Sequence, residues 1–345
     1  MTKFENTQPA SVEKDAQQAQ LISIVIPCFN ESEGFPVFQT EILAIAQAIE
    51  QRNLATEIVL VDDGSRDDTW NLICELAAKD RRVRGAALSR NFGQQSAISC
   101  GYDLAAGDAV VCLDADLQDP PDVLLEMIDK WRQGFDVVLG VRRTRTGEST
   151  FKLWTAKIFY QLLRLLGARH IRADCGDFRL MSRRSLMALQ QMPEYHRFIR
   201  GMVGWAGFPT AEIFYDRRAR RAGQTKYPLS KMIRLALDAI ISFSSAPLRL
   251  AYLSSGLLML ATLGYLVYVL IIHVVFGVDL VPGWASLLLT VIGFGSMNLF
   301  CLGLMGEYVG RIYEEVKHRP HYIVRDQTPL NRPMQNGAPD ASSDS

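Results

Sequence analysis

The chain has no CxxC pair: its six cysteines (Cys28, Cys74, Cys100, Cys112, Cys175 and Cys301) are scattered singly. That spacing excludes a zinc ribbon and a small disulfide scaffold, and it suits a reduced globular part facing the cytosol. Net charge is also missing, since 37 Lys and Arg balance 37 Asp and Glu. Bulk attraction to a polyanion is thereby excluded, and no nucleic-acid partner is expected. The first twenty residues lack any apolar run, so 1–20 is not a secretory signal and reads as a disordered tail. From Ala251 to Gly306 charge itself runs out, leaving only His273 and Asp279. Three hundred and forty-five residues, 48% of them hydrophobic, exceed what one compact core holds, so a large domain with an apolar appendage is expected.

From Leu21 onward, short β-branched runs alternate with helical patterns: LISIVIP, EIVLVDD, VRGAALS, DAVVCLDAD and DVVLG are separated by amphipathic stretches. Strands apolar on both faces with helices between them predict an α/β domain with a parallel sheet covered on both sides. Ligands of such sheets bind beyond the carboxyl ends of the strands. Here those ends carry Asn30 and Glu31, Asp62 and Asp63, and Asp114 and Asp116.

After Gly140 the pattern changes to basic loops (142–145 and 217–221) and two amphipathic segments, at about 151–167 and 229–250. Basic residues beside a broad apolar face suit helices lying in a membrane interface, with ordinary core helices as the alternative. Two charge-free stretches follow, 251–273 and 284–306. At about 23 residues, hence ~34 Å, each is long enough to span a bilayer, which predicts a two-helix transmembrane hairpin. The turn between them has no Lys or Arg, whereas Arg249, Arg311, Lys317 and Arg319 flank the outer ends. Both termini and the preceding domain are therefore expected on the cytoplasmic side of a multi-pass inner-membrane protein. The remainder, 307–345, ends rich in Pro, Ser, Asp and Asn and reads as a mostly disordered cytoplasmic tail.

The strongest chemical signal is LDADLQD, in which Asp114, Asp116 and Gln118 offer hard oxygen ligands where a divalent cation could bridge a diphosphate. Two carboxylates at i and i+2 could equally just solvate a strand end. The motif gains weight from IPCFNE and VDDGSRDDT, which end two other strands of the same array. There Asp63 could accept from a base N–H, while Gly64 and Ser65 permit a tight turn. Cys28 and Cys112 sit in strand contexts and read as small core side chains.

Taken in order, IPCFNE, VDDGSRDDT, SRNFGQQSA, DADLQDPP, GDFRLMSR and RRAGQTKYPLSKM resemble the family 2 glycosyltransferases of GT-A fold. The subgroup they look like is the polyprenyl-phosphate glycosyltransferases, which includes dolichol-phosphate mannose synthases and, most similar, bacterial bactoprenol glucosyltransferases with a two-helix membrane hairpin. The resemblance covers about Leu21 to Arg325 and implies a Rossmann-like, mostly parallel sheet domain over 21–228. It implies nucleotide contacts for Pro27, Phe29 and Glu31, base contacts for Val61 and Asp63, and donor contacts for Asp114 and Ala115. Asp116 and Gln118 would ligate Mg²⁺ or Mn²⁺, and Arg142 would lie near the donor. Arg220, Gly223 and Lys226 would close over the phosphates. An acidic catalytic residue falls at Asp174 or Asp177, with Asp177 preferred. A lipid monophosphate with its second pKa near 6 needs little deprotonation, so that residue would orient more than abstract.

The implied reaction moves one hexose, glucose from UDP-glucose as first choice, to polyprenyl (undecaprenyl) phosphate with inversion. The glycines of the hairpin would suit a homo-oligomer in lipid. A processive polysaccharide synthase would need more membrane helices. A non-catalytic nucleotide-sugar-binding membrane scaffold would have no use for the acidic rim.

Overall fold

The computed structural model describes residues 19–116, 118–143, 175–195, 197–216, 246–276 and 283–329. The expected interfacial segment at 151–167, most of that at 229–250, and Asp174, Arg220 and Lys226 lie outside the described residues. Eight strands form one sheet: β1 (Leu21–Cys28), β2 (Ala55–Asp62), β3 (Val83–Leu88), β4 (Ala109–Cys112), β5 (Val137–Arg142), β6 (Cys175–Ser182), β7 (Thr210–Tyr215) and β8 (Val324–Gln327). Their order is β7-β5-β6-β4-β1-β2-β3-β8. The β1–β2, β1–β4, β2–β3 and β5–β7 pairs are parallel, whereas β6 runs antiparallel between β4 and β5, and β8 antiparallel along β3.

The five strands expected from their β-branched runs are present and point one way. The inserted β6 was not legible as a strand, because CGDFRLMS carries Gly, Asp and Arg rather than a β-branched run. It is a strand because β4 and β5 flank it and pair its backbone. The central strands are buried on both faces, with Ile22, Ile24 and Ile26 of β1 in one core cluster and Val25 in the other. Helices α1 (Phe35–Glu50), α2 (Thr69–Lys79) and α4 (Pro121–Arg132) supply the first cluster. Helices α3 (Gln94–Leu104), α5 (Arg183–Gln190) and α6 (Ile199–Ala206) supply the second. Close packing is tight where Gly101 of α3 crosses β1: a Cβ there would lie 2.2 Å from Val25 Cγ1.

Two long helices follow, α7 (Ala246–Phe276) and α8 (Trp284–Val316). Among the described residues one stretch, Thr290–Val316 of α8, is long and apolar enough to cross a membrane. In α7 the described apolar stretch is Leu253–Tyr265. The expected hairpin of two full spans is thus met by one candidate span. A Cβ built on Gly256, Gly264, Gly293, Gly295, Gly303 or Gly306 meets no atom within 4 Å, so these glycines do not serve close helix contact within the described chain.

The region read as a cytoplasmic tail also departs from expectation. Helix α8 continues past Gly306 to Val316, and the chain then returns to the sheet. Glu315 Oε2 accepts from the Tyr195 amide at 2.9 Å, and the Tyr322 hydroxyl donates to Asp103 Oδ2 at 2.6 Å. The Ser89 amide donates to the Ile323 carbonyl at 2.9 Å, and Gly85 N–H to Thr328 Oγ1 at 2.8 Å. Strand β8 pairs by backbone bonds while most of its side chains face solvent, which is why VRDQ has no apolar signature. A chain lacking 320–345 uncovers the edge of β3 and loses several hydrogen bonds of ~0.5–1.5 kcal/mol each. Its thermal midpoint is expected to fall by about 4–8 °C in a calorimetric scan.

Candidate active site

Register alone brings the acidic motifs together. Cys28 of β1 pairs with Asp62 of β2, and Val25 with Cys112 of β4, so the loops after all three strands leave the sheet on one rim. Strand β6 runs the other way, with Arg179 opposite Cys112, so its first residues reach that same rim. Arg142 and Tyr215 are partners at the ends of β5 and β7. The rim therefore collects Asp63, Asp114, Asp116, Arg142, Asp177 and Tyr215.

The loops after β1 and β2 are cross-linked. Ser65 Oγ accepts from the Asn30 amide and Thr69 Oγ1 from the Glu31 amide, both at 2.9 Å; Asp67 Oδ2 accepts from the Ser32 amide at 3.1 Å, and Asn30 Oδ1 from the Arg66 amide at 2.9 Å. Asn30 takes φ 54°, a left-handed conformation that asparagine tolerates. Burial works against the Asp67 charge, but hydrogen bonds from Thr69 and Ser32 outweigh it and bring its pKa down to about 2. The polar residues of VDDGSRDDT thus fix the loop that holds Phe29 and Glu31. Pro27 is half-buried and Phe29 exposes its ring at the rim.

Val61 and Asp63, the residues expected at the base, also make contacts within the fold. Val61 is fully buried in the core, so its side chain packs the sheet. Asp63 is buried, and its two oxygens accept from the amides of Phe92 and Gly93 at 2.8 and 2.9 Å. Burial pushes its pKa up and the two amides pull it back. Its carboxylate therefore ties the loop after β3 to β2. Gly64 beside it has φ 66°, and a Cβ there would lie 2.4 Å from the Arg90 carbonyl carbon, so these loops meet backbone to backbone.

Asp114 is half-buried and Asp116 exposed, while Gln118 is buried and its backbone N–H donates to Asp116 Oδ1 at 3.3 Å. Gln94 Nε2, at the start of α3, donates to Asp114 Oδ1 at 3.0 Å. Its neighbour Gln95 donates to Asp177 Oδ2 at 3.4 Å and accepts from the Ile199 amide at 3.3 Å. Nothing in SRNFGQQSA by itself assigns these glutamines a role. Two consecutive glutamines opening a helix at a strand's carboxyl end were the available signal.

Asp177 is ion-paired on both sides. Arg179 Nη2 donates to its Oδ1 at 2.8 Å, Arg200 Nη2 to its Oδ2 at 3.0 Å, and Arg200 Nε to Oδ1 at 3.1 Å. Arg179 is 1% exposed and Asp177 4%. Burial opposes the charge, but Arg200 and Arg179 outweigh it and hold the carboxyl below its ordinary range. Such a carboxylate is a weak proton acceptor and a strong anchor for two guanidinium groups. Across β6, the Tyr215 hydroxyl donates to Asp119 Oδ1 at 2.5 Å, and Arg142 Nε lies 3.5 Å from the same hydroxyl. Cys28 and Cys112 are buried, which pushes their thiols far up and leaves them packing groups.

Among the described residues no cluster of three His, Cys, Asp or Glu could hold a metal on its own. The oxygen donors of the DADLQD segment are the Asp114 and Asp116 carboxylates and the side-chain carbonyl of the buried Gln118. That set fits Mg²⁺, which keeps several waters and is bound through one or two carboxylates plus substrate phosphates.

The chain matches the description "Glycosyl transferase family 2" over residues 23–189. It is 40% identical over 305 residues to an uncharacterized glycosyltransferase of Synechocystis sp., covering 88% of this chain and 95% of that protein. It is likewise 40% identical over 309 residues to the bactoprenol glucosyl transferase of Shigella phage SfV, with 89% and 98% covered. Among solved structures, glucosyl-3-phosphoglycerate synthase from Mycobacterium tuberculosis aligns at TM-score 0.45 and 18% identity, covering 66% of this chain and 79% of that one.

Proposed function

Because the chain belongs to the family 2 glycosyltransferases, we propose that it moves a single hexose from a nucleoside diphosphate sugar, UDP-glucose first, to polyprenyl phosphate at the membrane surface. The observation that carries the reading is the rim itself. Two acidic side chains for a cation, Asp114 and Asp116, share it with the Arg142 guanidinium, and the domain bearing it is tied through Glu315 and Tyr195 to an apolar helix. Relatives of nearly equal length that carry the bactoprenol glucosyl transferase name support the lipid acceptor.

The chemistry assigned to each group follows from charge. A divalent cation held at Asp116 and Gln118, with Asp114 beside them, would neutralise the diphosphate as it leaves. Arg142 meets the same developing charge from the other side, where a preorganised cation lowers the barrier most. The acceptor is a phosphate monoester, largely ionised at pH 7, and attacks the anomeric carbon from the face opposite the diphosphate, inverting configuration. Asp177 therefore has no proton to remove; it holds Arg200 beside the acceptor path. Arg220 and Lys226 are assigned to the two phosphates, and the stretches near 151–167 and 229–250 to the headgroup plane. The catalytic domain and both termini are assigned to the cytoplasm, and the helix pair α7 and α8 to the bilayer.

Calorimetric titration of UDP into the full chain tests the donor half of this reading. Binding is expected with Mg²⁺ or Mn²⁺ present and to weaken at least about tenfold after EDTA treatment, as loss of a bridging ion at a diphosphate requires. Equal affinity with and without metal would refute the assignment of Asp114 and Asp116.

A further inference from the structure

Tyr215 is buried at the last position of β7, yet its hydroxyl lies on the rim between a carboxylate and a guanidinium. We propose that Tyr215 is a positioning residue that aims the Arg142 guanidinium at the donor's diphosphate by linking it to Asp119 through one phenolic hydroxyl. The inference deepens the transferase reading above and rests on it.

Donor and acceptor accounting gives the bridge a single arrangement. An ionised carboxylate only accepts and a guanidinium only donates. A phenol between them must therefore give its one proton to Asp119 and turn its lone pairs to Arg142. The distances agree, with the hydroxyl 2.5 Å from Asp119 Oδ1 and 3.5 Å from Arg142 Nε. The short contact anchors the hydroxyl to the segment that follows Asp114 and Asp116, and the long one leaves the guanidinium free to tighten onto an incoming anion. Backbone register adds a second constraint: Arg142 and Tyr215 are strand partners, and the Arg143 amide donates to the Tyr215 carbonyl at 2.9 Å.

The surroundings hold the ring and the arginine in place. The Tyr215 ring packs edge-on against Phe178, with centroids 5.5 Å apart and planes at 90°. Phe178 follows Asp177, so one strand, β6, supports both charged groups of the rim. Gly140 makes room for this pair, since a Cβ there would lie 2.8 Å from Phe178 Cδ1 and 3.0 Å from Tyr215 Cε1. Gly176 does the same for the cation, whose Nη2 lies 3.0 Å from the place a Cβ would occupy. The bridge fixes the bearing of the cation, which feels the charges of Asp119 and Asp114, and so prepositions it for a ligand.

The test is a double-mutant cycle in the detergent-solubilised full chain, with UDP-glucose and undecaprenyl phosphate as substrates and UDP binding read by calorimetry. Tyr215→Phe keeps the ring and its packing on Phe178. It is expected to lower kcat/KM for the donor and to weaken UDP binding, each by about tenfold, in a protein that still unfolds cooperatively with its midpoint a few degrees lower. Arg142→Gln is expected to lower both further, and adding Tyr215→Phe to it to cost nothing more, because the phenol acts through the arginine. Multiplying effects in the double variant, or a Tyr215→Phe protein with wild-type kcat/KM and UDP affinity, would overturn the proposal. Should Tyr215→Phe not fold, Asp119→Ala, which removes the acceptor that holds the phenol, must show the same dependence on Arg142. A wild-type chain that neither binds UDP nor transfers sugar removes the transferase reading and this inference with it, which separates that failure from an additive cycle in an active enzyme.

Discussion

Asp116→Ala is expected to reduce sugar transfer at least about 100-fold while leaving the protein folded. Loss of one preorganised group facing transition-state charge costs ~10²–10³ in rate, and a cation ligand falls in that class. Asp116 is exposed at a strand end, so its removal takes no volume from the core, and the stability change should stay within about 0.5 kcal/mol. Asp114→Ala should do the same chemically but additionally frees Gln94, which donates to Asp114. Turnover with saturating Mg²⁺ and the thermal midpoint check both halves. A variant that keeps near-wild-type turnover would remove Asp116 from the site.

Asp177→Ala is expected to do something different: to destabilise the fold. Its carboxylate is the anionic partner of Arg179, which is 1% exposed, and breaking a buried pair by removing one member costs ~3–5 kcal/mol. The midpoint should fall by about 6–20 °C. Replacing Asp177 by Asn and Arg179 by Met together should recover much of that loss, since no charge is then stranded. The sign of the pH dependence follows from the lowered pKa of Asp177. Its contribution is present above the unfolded carboxylate value of ~3.9 and is lost as pH falls through the lower folded value. Acid unfolding of Asp177→Asn should lack that component. A fully stable, inactive Asp177→Ala protein would instead mark Asp177 as a direct participant in the chemistry.

The parts of the molecule that were legible in the sequence are those where hydrophobic pattern and position in the sheet agree. The runs LISIVIP and EIVLVDD are buried strands, and their carboxyl ends carry the polar groups of the rim. Asp114 and Asp116 stand out in the sequence because a parallel sheet presents those ends to ligands, whereas Arg142 is named by the resemblance alone. What stayed hidden depends on pairing between distant segments. Strand β6 is imposed by its neighbours, and β8 is a polar edge strand held by its backbone. The bonds from the Phe92 and Gly93 amides to Asp63 are announced by no spacing in VDDGSRDDT. The link from Tyr215 to Asp119 spans almost a hundred residues, so neither end betrays the other. Asp174, Arg220 and Lys226 lie outside the described residues, and their roles rest on the resemblance alone.

The measurement that bears most directly on the central claim is the fate of labelled sugar. Full-length protein is incubated with radiolabelled UDP-glucose, Mg²⁺ and undecaprenyl phosphate, and the organic phase is analysed for label and for sugar units per lipid. The account predicts one hexose joined to each lipid phosphate, with UDP released in equal amount and no transfer when the lipid alcohol replaces the phosphate. Label that stays in the aqueous phase with every nucleotide sugar tried, although UDP still binds, would contradict it, as would a lipid carrying a growing chain of sugars.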